Sequence, residues 1–158
     1  MIYTYFDNPL GEMLALSDGE VLTGLYFGVE KHLPELDSNW KQQNKNALFQ
    51  LTQKQLSEYA KGKRKEFTVP FCFTNGTPFQ RKVWQALLTV PYGKTLSYLE
   101  IAKHIRKPKS VRAVANAIGN NPISLIVPCH RIIGSDGSLT GYAGGLDRKR
   151  AILALEQN

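Results

Sequence analysis

Ser97-Tyr98-Leu99-Glu100-Ile101-Ala102-Lys103-His104-Ile105-Arg106-Lys107-Pro108-Lys109-Ser110-Val111-Arg112-Ala113-Val114-Ala115-Asn116-Ala117-Ile118-Gly119 is the stretch that decides how the second half of this chain folds. Ser97 and Glu100 stand at capping-box spacing: the serine can accept from the third helical amide, and the glutamate can reach back to the cap amide. A helix follows to about Ile105. Lys107-Pro108-Lys109 then breaks the chain, because proline offers no amide hydrogen and clashes with a preceding helical turn. Ser110 is placed to cap a second helix, with Val111, Val114, Ala115 and Ile118 forming an apolar stripe at i, i+3, i+4 and i+7. Gly119 suits the left-handed position that ends many helices. Two short helices joined by a tight basic turn read as a helix-turn-helix over about residues 97–119. On the outer face of the second helix, Arg112 and Asn116 lie one turn apart, as do Ala113 and Ala117. Small residues let a helix approach a partner's backbone closely, and Arg112 is the long cation among them. An ordinary helical hairpin with a solvated arginine is the competing reading.

The charge distribution favours a polyanionic partner for this half. The chain has 158 residues and a net charge of +7. Residues 1–75 carry 8 basic and 9 acidic side chains, whereas residues 76–158 carry 12 basic and 4 acidic ones. A neutral front and a basic back fit an encounter between the back half and nucleic acid, or a basic domain with no such partner. No apolar stretch reaches the roughly 18 residues of a membrane span, so no membrane partner is expected. The start, Met1-Ile2-Tyr3-Thr4-Tyr5-Phe6-Asp7, lacks the basic region and cleavage site of a signal peptide. With two cysteines, Cys72 and Cys129, this points to a reducing compartment without a disulfide framework: the cytoplasm, or the nucleus in a eukaryote.

The pattern before residue 76 predicts a small α+β unit. Ile2–Phe6 reads as a strand, and Met13–Leu16 and Val21–Phe27 flank the hairpin dipeptide Asp18-Gly19. Residues 30–46 read as a loop, Ala47–Ala60 as a helix, and Phe67–Phe73 as a strand at an edge, since Pro70 cannot donate to a ladder. This front half carries no evident chemical motif. After Asn75-Gly76, Thr77-Pro78 makes an N-cap and first-turn pair for a helix over Phe79–Leu88. The expected organisation is therefore two domains, 1–75 and 76–158.

Further on, Ile123-Ser124-Leu125-Ile126-Val127 reads as a strand running into Pro128-Cys129-His130-Arg131. A cysteine beside a histidine and an arginine is a candidate nucleophile, because neighbouring cations lower a thiol pKa from about 8.5. Adjacent strand residues point to opposite faces, so a direct thiol–imidazole contact would need a break at Pro128 or a bridging water. An inert buried cysteine and a structural histidine are the plain alternatives. Asn121-Pro122 upstream can tie a turn, and Gly141-Tyr142-Ala143-Gly144-Gly145 downstream can admit a flat ligand to backbone amides.

Taken in order, Thr77-Pro78-Phe79-Gln80, Val83-Trp84, Pro91-Tyr92-Gly93, Ser97-Tyr98, Ile101-Ala102, Arg112-Ala113-Val114, Asn121-Pro122, Ile126-Val127-Pro128-Cys129-His130-Arg131, Gly144-Gly145-Leu146 and the terminal Leu153 to Glu156 resemble the methylated-DNA-protein-cysteine methyltransferases, also called O6-alkylguanine-DNA alkyltransferases. The resemblance is dense over residues 76–158 and lies only in arrangement before them. It implies a ribonuclease-H-like front domain and a mostly helical rear domain carrying the active cysteine. It also implies single-use DNA repair, in which Cys129 accepts the alkyl group from O6-alkylguanine after the nucleotide is flipped out of the duplex, with activity on O4-alkylthymine left open. By resemblance, His130 takes the thiol proton through a water, Glu156 orients His130, Tyr98 assists the leaving guanine, and Asn121 holds the turn before the cysteine. Arg112 fills the gap in the stack, with Ala113, Asn116, Ala117, Thr95, Ser97 and Tyr98 along a minor-groove DNA contact. Tyr142, Ala143, Gly144, Val127, Ile132 and Ile118 form the base pocket. The implied partner is double-stranded DNA and the implied state a monomer, with cooperative association on DNA left open. No cofactor is implied.

The pattern departs from relatives in two places. Some bind zinc in the front half, where this chain offers only His32 and Cys72, too few for a tetrahedral site. Many carry serine where this chain has Ala143, so only a backbone amide can donate there. The small residues Ser124 and Ala143 suggest room for bulky adducts, and Cys72 reads as a core thiol. Two rival functions remain at this level: a helix-turn-helix regulator with a structural cysteine, and a hydrolase using Cys129 and His130 as a dyad.

Overall fold

A computed structural model describes residues 1–30 and 32–158. Three antiparallel strands open the fold: β1 (Ile2–Asn8), β2 (Gly11–Ser17) and β3 (Leu22–Phe27). Asp18 tightens the β2–β3 turn by accepting from the amides of Glu20 and Val21. The expected loop over 30–46 contains one short strand, β4 (Lys41–Gln42), which pairs parallel to β1 and completes a sheet of order β3-β2-β1-β4. Helix α1 (Ala47–Ala60) packs on β1. Asn46 caps it by accepting from the Leu48 amide, and its buried face carries Phe49, Thr52, Leu56 and Tyr59 at helical spacing.

The segment Phe67–Phe73 is not a strand. It touches β3 at one place, where the Leu22 amide donates to Pro70 and the Cys72 amide donates back to Leu22. Ile123–Val127 is not a strand either. The Leu25 amide donates to Pro122 and the Ser124 amide to Leu25, after which the chain doubles back on itself. These two crossings cover the free edge of β3, which would otherwise present unpaired backbone groups. Cys72 is half-buried rather than a core thiol, and both cysteines are free.

The rear half holds α2 (Pro78–Leu87), β5 (Leu96–Ser97), α3 (Tyr98–His104), α4 (Val111–Gly119), a single 3-10 turn (Cys129–Arg131), β6 (Ile132–Ile133) and α5 (Leu146–Gln157). Strands β5 and β6 pair in parallel. Thr77 and Gln80 form a full capping box at the start of α2. Ser97 accepts from the Glu100 amide, but no reciprocal bond from the Glu100 side chain to the Ser97 amide forms, so the capping box is half made.

The turn between α3 and α4 is a Schellman motif without glycine. The Arg106 amide donates to Lys103 and the Lys107 amide to Ala102, with Arg106 in the left-handed region at φ 62. Ser110 precedes α4 but makes no side-chain cap bond, and Gly119 is helical, with the capping role passing to Asn120 at φ −99. The Trp84 indole donates to the Ala117 carbonyl, pinning α2 to α4. One continuous core joins both halves, running from Phe6 and Leu25 through Trp84 and Val114 to Ile152.

Candidate active site and nucleic-acid face

The apolar run before Pro128 closes into a tight turn held by Asn121. Its side-chain amide donates to the Val127 carbonyl at 2.9 Å, while its carbonyl accepts from the Ile123 amide at 2.9 Å. Leu125 sits in the left-handed region at φ 70. A branched side chain there costs on the order of 1–3 kcal/mol, which burial of Leu125 and the Asn121 bonds offset. The turn delivers Cys129 as the first residue of the 3-10 turn, not as the end of a strand.

Cys129 is 5 % exposed. Burial pushes its thiol up to about 11; the Asn121 side chain and Lys149 pull the other way, and Glu30 adds to the rise. The resting thiol is therefore neutral at physiological pH. The expected activation by the adjacent arginine is not realised, because Arg131 points elsewhere. Its Nε and Nη2 grip the two oxygens of Glu156 at 2.9 Å each, its Nη1 donates to the Val90 carbonyl, and its guanidinium lies over Tyr92.

His130 is 0 % exposed, and its Nε2 lies 2.8 Å from Glu156 Oε2. Burial lowers its pKa, with Glu156 opposing. A neutral imidazole donating Nε2–H to Glu156 leaves the Nδ1 lone pair as an acceptor, and Nδ1 bonds to no protein atom among the described residues. Burial alone would push Glu156 up, but bonds from His130, Arg131 and Tyr59 outweigh it and hold the carboxyl well below its usual range. Tyr59, from α1, donates its hydroxyl to Glu156 Oε2. The reading from sequence missed this donor and the Arg131–Glu156 pair.

A cavity of about 720 Å³ opens against α4; Cys129, His130 and Glu156 do not line it, but Tyr142, which does, is close enough to Cys129 to interact with its charge. Tyr98, Arg112, Ala115, Ile118, Tyr142 and Ala143 line it, with Val111, Gly119, Thr140, Gly141 and His32. The Tyr98 hydroxyl donates to the Thr140 carbonyl. Lys149, wholly buried, donates to the carbonyls of Ile132 and Thr140 and so ties α5 to the cavity wall; burial brings its ammonium down to about 8. Of the expected pocket residues, Tyr142, Ala143 and Ile118 line the cavity. Val127 and Ile132 are buried away from it, and Gly144 packs between the rings of Tyr142 and Phe27. A Cβ on Gly144 would come within 2.8 Å of the Tyr142 ring. Ser124 is not a pocket residue: its hydroxyl donates to Glu30, a buried carboxylate from the front half that also accepts from the Phe27 amide.

On α4, Arg112, Ala113 and Asn116 are exposed, as is Thr95 in the loop before β5. Ala117 is 1 % exposed and Ser97 is also buried, so neither belongs to an outer face. The apolar stripe falls on Val114, Ala117 and Ile118, and Ala115 turns to the cavity. Lys103, Arg106, Lys107 and Lys109 add exposed positive charge along the hairpin. Among the described residues no cluster of three or more His, Cys, Asp or Glu could hold a metal ion, and no helix is long and apolar enough to cross a membrane.

Comparison with known proteins gives this geometry its context. The family model for the 6-O-methylguanine DNA methyltransferase ribonuclease-like domain matches residues 1–73, and that for the DNA binding domain of the same family matches residues 78–158. The methylated-DNA–protein-cysteine methyltransferase of Haemophilus influenzae is 42% identical, over 99% of this chain and 87% of its own. That of Methanosarcina acetivorans is 44% identical, over 99% and 98%. The crystal structure of Mycobacterium tuberculosis OGT in complex with DNA superposes with a TM-score of 0.91 at 44% identity, covering 99% of this chain and 93% of that one.

Proposed function

Because this chain belongs to the 6-O-methylguanine DNA methyltransferase family, we propose that it repairs DNA by moving the alkyl group of O6-alkylguanine onto its own Cys129. The observation that carries this reading is a buried Cys129 followed by the buried His130–Glu156 pair, with Tyr142 linking Cys129 to a cavity whose wall includes Arg112. The reaction forms an S–C bond at Cys129 and breaks the C–O bond at O6, and guanine leaves with the electron pair. A neutral thiol is a poor nucleophile toward saturated carbon, so the thiol must lose its proton as substrate binds. His130 Nδ1 accepts that proton by way of a water, and Glu156 fixes the ring and stabilises the imidazolium. Tyr98 donates toward the departing base. Asn121 keeps the turn that aims Cys129. Since the acceptor is the protein, each chain acts once.

The reacting carbon is out of reach inside a duplex, so the nucleotide must be flipped, at a cost of a few kcal/mol. Arg112 enters the stack in its place, while Ala113 lets α4 lie close in the minor groove with Asn116 and Thr95 alongside. The cavity beside Tyr142 and Ala143 receives the base. The chain acts as two domains, 1–75 and 76–158, and as a monomer in the cytoplasm. Mapping the methylated peptide after reaction with an O6-methylguanine duplex tests the assignment: the label belongs on the peptide containing Cys129, and a label elsewhere contradicts it.

A further inference from the structure

Glu156 Oε2 is crowded. It takes a bond from His130 Nε2 at 2.8 Å, from Arg131 Nη2 at 2.9 Å and from the Tyr59 hydroxyl at 2.5 Å. A carboxylate oxygen offers about two lone-pair directions, so three donors compete for it, and what Tyr59 takes is withheld from His130. Tyr59 is also the donor that comes from the other half of the chain, 97 residues away in sequence. Its ring is fully buried and set edge-on against Tyr92 and beside Phe67, which fixes the direction from which the hydroxyl reaches Glu156.

We propose that Tyr59 is a positioning residue for alkyl transfer: from the ribonuclease-like half it fixes the Glu156 oxygen that orients His130 and sets how firmly that oxygen holds an imidazolium. The inference rests on the reading that His130 and Glu156 manage the thiol proton. Burial, with Glu156 next, holds the Tyr59 hydroxyl far above its ordinary range, so it stays a neutral donor. The other titratable or charged groups facing this carboxylate and imidazole are Arg131, Tyr92 and, from α5, Lys149. Glu30 lies on the thiol side. Without the Tyr59 hydroxyl, more negative charge on Oε2 is available to His130, and the imidazolium becomes easier to form. If Tyr59 merely packed the two halves together, loss of its hydroxyl would cost stability and leave His130 as it was.

The test uses the full chain. His130 is titrated by NMR of its imidazole protons, and the rate of methyl transfer is followed against pH, in the wild type, Tyr59→Phe and Glu156→Gln. For Tyr59→Phe the His130 midpoint and the acid limb of the rate profile should both move up by about half to one pH unit, equally with duplex substrate and free O6-benzylguanine. A folded Tyr59→Phe protein with both midpoints at wild-type values overturns the proposal. If Glu156→Gln moves them while Tyr59→Phe does not, only the role of Tyr59 falls; if neither does, the reading of His130 and Glu156 falls with it. Should Tyr59→Phe not fold, 3-fluorotyrosine at position 59, a stronger donor, should lower the His130 midpoint, and an unchanged midpoint overturns the proposal equally.

Discussion

Arg131 holds Glu156 by two parallel bonds of 2.9 Å, Nε to Oε1 and Nη2 to Oε2, with both side chains almost wholly buried. The arginine two residues after Cys129 thus holds the carboxylate that bonds His130, and makes no bond to the thiol. A one-sided break in such a pair strands a buried charge, at about 3–5 kcal/mol. Arg131→Met should lower stability by that order in denaturant unfolding. Glu156→Gln should cost a comparable amount, because it leaves the Arg131 charge unpaired and sets an NH2 group where only donors point.

The same pocket sets the acid lability of the fold. His130 has a lowered folded pKa, so as pH falls through its ordinary 6.5 the unfolded chain gains a proton that the native chain resists, and stability drops. Glu156 is held low, so its contribution is present above the ordinary 4.5 and is lost as pH falls below that value toward its folded pKa. Unfolding midpoints measured from pH 7 down to pH 2 should decline in two stages, the first beginning near pH 6.5 and the second near pH 4.5. His130→Asn should flatten the upper stage and leave the lower one.

Arg106 occupies a left-handed position at φ 62 on an exposed turn. Glycine adopts that conformation without the side-chain penalty of roughly 1–2 kcal/mol. Arg106→Gly should therefore raise the melting temperature, by an amount corresponding to about 1 kcal/mol after its greater unfolded-state entropy is counted. Because it also removes a cation from the hairpin, DNA affinity should fall and its salt dependence become shallower.

Arg112 lines the cavity and is exposed on α4. Arg112→Ala should slow repair of a duplex by tenfold or more, since a few kcal/mol of flipping cost lose their compensation, while reaction with free O6-benzylguanine stays near the wild-type rate. Equal loss on both substrates, measured by single-turnover kinetics, would remove Arg112 from the flipping role.

Asn121 makes both ends of the turn before Cys129. Asn121→Ala leaves a buried amide and carbonyl with fewer partners, at about 1–3 kcal/mol, and frees Leu125 to leave its left-handed conformation. Transfer to free O6-benzylguanine should slow together with transfer to DNA, because the loss lies in aiming the nucleophile.

The sequence was most legible where local chemistry decides. The Thr77-Pro78 pair and the stripe over Ala47–Ala60 announced helices that begin where expected, and Asp18-Gly19 announced its hairpin. It misled at Phe67–Phe73 and Ile123–Val127, since a short apolar run looks alike whether it forms a strand or crosses a sheet edge and turns. The apolar stripe of α4 was set off by a small rotation, so Ala117 and Ala115 exchanged faces: a run of small residues fixes the phase of a stripe poorly. Tyr59, Glu30 and Lys149 could not be found as site residues. Each reaches the site through tertiary packing, from α1, the loop after β3, and α5.

The central claim is that Cys129 itself keeps the alkyl group. Intact mass of the protein after incubation with excess duplex containing O6-methylguanine tests it most directly. One added methyl group per chain, no further turnover, and no mass change in Cys129→Ala are the results expected. An unchanged protein mass, whether the lesion persists or is cleared repeatedly, would contradict it.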